Sequence, residues 1–61
     1  QTIMKFKTGD LVYAIRFREM GVGIVIEPVN HDMVNVYWCG DGIVMSSGWE
    51  SIEKLEAHNE V

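Results

Sequence analysis

Val34-Asn35-Val36-Tyr37-Trp38, followed after Cys39 by Gly40-Asp41-Gly42 and then Ile43-Val44-Met45-Ser46, is the stretch that decides the fold. Successive side chains of a strand point to opposite faces. Val34, Val36 and Trp38 therefore share one side, and Asn35 and Tyr37 the other, which is the pattern of a half-buried strand. The glycine-rich tripeptide supplies the positive-φ residues that a tight hairpin requires, so the run from Ile43 to Ser46 is expected to return antiparallel.

Toward the N-terminus, Gly23-Ile24-Val25-Ile26-Glu27 has three branched residues in succession. It predicts a strand that stops at Pro28, which has no N–H to give to a ladder. Upstream lies Leu11-Val12-Tyr13-Ala14-Ile15-Arg16, preceded by Phe6 and a Gly9-Asp10 turn. Both faces of this run are apolar. Val12 and Ala14 are assigned inward, because small Ala14 suits a crowded interior. Leu11, Tyr13 and Ile15 then form an outer face that needs cover from a loop, a terminus or a second chain.

After Trp49 the period changes. Ser47 and Glu50 have the spacing of a capping box, and Ile52 and Leu55 stand three apart as in a helical turn. A helix fits this spacing, and so does a single 3₁₀ turn followed by a fifth strand around Leu55 to Ala57. The second is the expectation, since a long helix would have little apolar stripe to bury. Residues 58–61 are expected to fray.

Short β-branched and aromatic runs between turn signals, with no repeat or linker, predict an all-β chain. The expected architecture is a small, partly open five-stranded barrel with a 3₁₀ turn before the last strand, one domain over residues 1–61 with an ordered core at about 5–57. At 61 residues the chain is near the lower limit for independent folding and needs a rich core. With 48% apolar residues it has one, with Trp38 and Trp49 assigned to it, and enough apolar material remains for an exposed patch and self-association.

The order of signals resembles that of SH3-like barrels in the Tudor and KOW group. The residues that carry the likeness are Phe6, Gly9-Asp10-Leu11-Val12, Gly23-Ile24-Val25, Val34 to Trp38 with Asp41-Gly42, and Trp49 with Ile52 and Leu55. The chain is similar also to short barrel proteins encoded by tailed phages and their bacterial hosts. The resemblance implies a fold and leaves function open. The Tyr-containing strand and Pro-Asn-Tyr segment with which signalling SH3 domains grip Pro-rich peptides are absent. Where Tudor modules place cage aromatics, this chain has Val22, Ile24 and Ile26, and a cation cage needs several rings around one cavity.

Charge narrows the function classes. The net charge is -4, but residues 1–18 hold Lys5, Lys7, Arg16 and Arg18 against Asp10 alone, while residues 19–61 hold Lys54 against eight acids. An acidic total argues against nonspecific grip on phosphate backbones. The leading expectation is a non-enzymatic interaction module that associates with itself, or with another protein partner, through Leu11, Tyr13, Ile15 and Tyr37. Tyrosine is favoured at interfaces because it couples an apolar ring to a polar tip. The alternative is a nucleic-acid-associated accessory protein using Lys5, Lys7, Arg16, Phe17 and Arg18, with two guanidinium groups flanking a ring that could stack a base.

No cofactor or metal is expected, since one cysteine and two distant histidines do not make the paired ligand set of a zinc site. Cys39 is expected to be a small buried residue rather than a nucleophile. Gly21-Val22-Gly23 lacks the third glycine and following helix of a phosphate loop and reads as a turn. The acids Glu50, Glu53, Glu56 and Glu60 read as a solvated face. A lone cysteine, no apolar run of membrane length and no signal-peptide core together suggest a soluble, cytoplasmic protein, in the host cytoplasm if phage-encoded.

Overall fold

The computed structural model describes residues 5–55. They form five strands and two 3₁₀ turns: β1 (Leu11–Ala14), a turn at Arg18–Met20, β2 (Val22–Asn30), β3 (Met33–Trp38), β4 (Ile43–Gly48), a turn at Trp49–Ser51, and β5 (Ile52–Lys54). All neighbours pair antiparallel in one sheet of order β4-β3-β2-β1-β5. The all-β expectation holds, including the 3₁₀ turn before the last strand. Among the described residues the sheet coils around one core without closing, because β4 and β5 are its two margins and do not pair.

The core follows the period-two reading. Val12 and Ala14 of β1 and Val34, Val36 and Trp38 of β3 are all buried, joined by Phe6, Val25 and Ile52. Each fully buried valine, isoleucine or phenylalanine contributes about 1.5–3 kcal/mol through lost contact with water. Trp49 is only half-buried, packing on this cluster with its ring edge-to-face against Phe6 at 6.1 Å. Among the described residues the buried indole N–H groups of Trp38 and Trp49 meet no acceptor.

β2 departs most from expectation, running through Pro28 to Asn30 rather than stopping before it. Its register with β3 shifts between Val25 and Glu27 and again between Pro28 and Asn30. Bulges of this kind bend a strand and increase its twist. Past the first bulge β2 is flanked by β3 alone among the described strands, so one of its sides makes no ladder bonds and the missing donor of Pro28 is tolerated. The displaced Ile26 carbonyl accepts a hydrogen bond from the Thr8 hydroxyl at 2.9 Å.

Gly23, read from the sequence as turn punctuation, lies buried inside β2. A Cβ there would stand 2.5 Å from Val36 Cγ1 and 2.8 Å from the Trp38 ring. Glycine is required because the large indole packs directly on the neighbouring backbone. The turn itself falls one residue pair earlier, at Gly21, whose φ is +79°.

The C-terminal expectation also needs correction. β5 begins at Ile52, directly after the turn, and Leu55 lies beyond it; Ala57 is outside the described residues. Ile52 stands opposite Ala14 and fills the space beside it, so burial sets the strand three residues earlier than spacing suggested. No capping box forms at the turn: its cap is Gly48, which makes no side-chain hydrogen bond, and the Ser51 hydroxyl donates back to the Gly48 carbonyl at 2.9 Å. The residues expected to fray, 58–61, lie outside the described residues.

Candidate functional site

Registers across the sheet determine what the outer face presents. Leu11 pairs with Ile24, Ile24 with Tyr37, and Tyr37 with Val44. Directly opposed residues lie on the same side of a sheet, so these four side chains make one apolar row across four strands. Tyr13 and its opposite Val22 form the next row on the same face. Leu11 is 47% exposed and Val44 54%, with Val22 and Tyr37 also exposed.

Thus Leu11, Tyr13 and Tyr37 share a face, as the alternation implied. Ile24, Val22 and Val44 belong to it too, and sequence reading missed their membership because it depends on strand order. Ile15 lies just past the end of β1, where its N–H donates to the Ser51 carbonyl at 3.0 Å, and its side chain is exposed. No loop of the described chain covers the Leu11–Val44 row.

Tyr13 is partly covered: the Arg18 guanidinium sits 4.3 Å from its ring centre. An arginine over a tyrosine face gains about 0.5–1 kcal/mol at an exposed site. The 3₁₀ turn at Arg18–Met20 holds it there, with the Met20 N–H donating to the Phe17 carbonyl at 2.9 Å.

The five residues of the nucleic-acid expectation are dispersed. Arg16 and Phe17 line a groove together, whereas Arg18 turns to Tyr13. Lys5 lies 5.6 Å from the Phe6 ring centre, in surface depressions it shares with Asp32, Glu50, Glu53 and Lys54. Lys7 stands in the turn before β1, where its backbone N–H donates to Asp10 Oδ2 at 2.8 Å. Asp10 also meets Lys54 at 3.7 Å. Acids thus interleave with the cations at the Lys5 end, which weakens any field that would attract a phosphate backbone.

The groove that Arg16 and Phe17 border opens where the sheet fails to close. Its volume is about 250 Å³, and its apolar walls are Ala14, Phe17, Met20, Trp38, Met45 and Ile52. Phe17 is 57% exposed at its rim.

Cys39 is exposed in the turn after β3, contrary to expectation. Alternation puts inward Trp38 before it, so Cys39 falls on the outer side, and its N–H donates to the Val22 carbonyl at 3.0 Å. Among the described residues no group of three or more His, Cys, Asp or Glu side chains is placed to hold a metal ion. No described helix is long and apolar enough to cross a membrane.

Comparison with protein-family models, curated proteins and solved structures returns no match to this chain.

Proposed function

We propose that this chain is a non-enzymatic interaction module of the SH3-like barrel kind, acting in the cytoplasm and associating with itself through the outer face of its sheet. One observation carries the reading: the apolar row Leu11, Ile24, Tyr37 and Val44, which crosses four neighbouring strands and in which, among the described residues, Leu11, Tyr37 and Val44 are exposed and Ile24 is half-buried. Isolated exposed apolar side chains are ordinary, but contiguous ones on a small body mark contact surfaces. Tyr13, with Arg18 against its ring, extends the row with a side chain that loses little freedom on binding.

Size-exclusion chromatography with light scattering tests this reading on the parent chain and on a Tyr13→Ala, Tyr37→Ala variant. The parent should show a mass that rises with concentration, and the variant should lose mass at equal concentration. A variant with the same mass profile as its parent would remove the outer face as the contact.

A further inference from the structure

β4 is one margin of the sheet, and nothing in its sequence guards that edge. All six of its residues pair with β3 in unbroken register, from Met33 opposite Gly48 to Trp38 opposite Ile43, so no bulge twists it away. It contains no proline and no charged residue. Sheets ordinarily protect such edges with lysine, proline, bulges or brevity, because a row of unpaired N–H and C=O groups templates another strand. Here Ile43, Val44 and Met45 are 42%, 54% and 46% exposed, on both faces of the same edge.

We infer that β4 is the pairing edge of a homodimer, in which β4 of a second copy runs antiparallel beside it about a two-fold axis perpendicular to the sheet. The order of residues along β4 argues for a second copy as the occupant. Its first half is bulky (Ile43, Val44, Met45) and its second half small (Ser46, Ser47, Gly48). Antiparallel self-pairing about Met45 sets bulky against small: Ile43 of the partner subunit opposes Ser47, and Val44 of the partner subunit opposes Ser46. Isologous symmetry repeats both contacts.

Because β4 carries no charge, no like charges meet within the paired strands. Residues on the inner side stay on the inner side in both copies. Ser47 lines the groove at the open margin, so Ile43 of the partner subunit lies at its mouth beside Met45. On the outer side the apolar row that ends at Val44 meets Ser46 of the partner subunit, so the two apolar rows lie side by side, offset across the axis. The inference rests on the reading of this chain as a self-associating module and adds to it a second, separable contact.

Both copies are acidic, so their mutual repulsion is screened by salt and the dimer tightens as salt is added. Contacts to nucleic acid would weaken instead.

The test is sedimentation equilibrium of the full chain and of Met45→Lys, Val44→Lys and Leu11→Lys, with hydrogen exchange of the β4 amides at low and high concentration. Circular dichroism identifies which variants fold; Met45→Lys, on the inner side of β4, reports the edge alone, and Val44→Lys reports the edge together with the outer row to which Val44 belongs. The expected result is a reversible parent dimer whose β4 amides gain protection with concentration. Either edge lysine should raise its dissociation constant by about tenfold or more, a loss of about 1.4 kcal/mol, while Leu11→Lys keeps this β4 protection.

An edge-lysine variant that folds and dimerises like the parent overturns the inference. So does a parent that stays monomeric with freely exchanging β4 amides, an outcome that leaves the edge to a strand from another protein. Failure of the outer-face reading looks different: Leu11→Lys then matches the parent in mass while the edge variants fall apart.

Discussion

β4 and β5 border the same sheet, yet they finish it in opposite ways. β5 has three residues, of which Ile52 is buried against Ala14 while Glu53 and Lys54 face solvent. It is short, charged and anchored, the ordinary means of keeping an edge from recruiting further strands. β4 has six residues, none of them charged and none fully buried, and its first three are bulky and exposed. One edge completes the core and the other leaves a groove open beside it. The contrast teaches that in so small a sheet, stability and association reside in different strands.

Ile52→Ala is the strongest way to break that contrast. It removes the one buried side chain of β5, and large-to-small changes at such sites cost about 2–5 kcal/mol. A core of this size rarely supplies more than about 3–5 kcal/mol in total, so the variant should be largely unfolded in urea titrations monitored by tryptophan fluorescence. If it unfolds at the parent midpoint, β5 is not an anchor.

Gly23→Ala probes the packed strand between the two edges. The added methyl collides with Val36 and Trp38, and overpacking of this kind costs about 1–3 kcal/mol. Thermal unfolding should show a clear drop in midpoint. A variant as stable as the parent would mean that the indole has room to move aside.

Lys54→Ala tests the charged guard of β5. It removes the Lys54–Asp10 pair, whose lysine side chain is 46% exposed, and surface pairs of this type contribute about 0–1 kcal/mol. The stability change should be small, and the mass in light scattering should stay that of the parent. A rise in mass would show that the charge had been holding off a strand at this edge.

Val44→Lys should change stability least, within about 0.5 kcal/mol, because the side chain is exposed and outside the core. Its effect belongs to association. Equal stability with reduced mass sharpens the contrast between margins, whereas a stability loss as large as that of Ile52→Ala would erase it.

Much of this was legible in the chain itself. Alternation set Val34, Val36 and Trp38 apart from Tyr37, and alternation together with the small size of Ala14 placed Val12 and Ala14 inside and Leu11 and Tyr13 outside, since strand period is a local property. Locally invisible features went astray. Gly23 looked like a turn residue because its need for glycine comes from Trp38, fifteen positions away in sequence and directly opposite in the sheet. Pro28 looked like a stop because the sequence does not state that β2 outruns β1. Ile52 was placed ahead of the last strand because its spacing to Leu55 is that of a turn, while its partner Ala14 lies on the first strand.

The candidate surfaces divide along the same line. Residue order in this chain suffices to say that strands form, which side of each is apolar, and that a bulky half precedes a small half in Ile43 to Gly48, because backbone preference and side-chain period act over a few residues. That Leu11, Ile24, Tyr37 and Val44 align in one row, that β4 ends unpaired, and that a groove opens beside it are consequences of pairing order and register. Those are settled by contacts between residues far apart in the chain, which compete for one small interior that leaves β4 and β5 as separate margins.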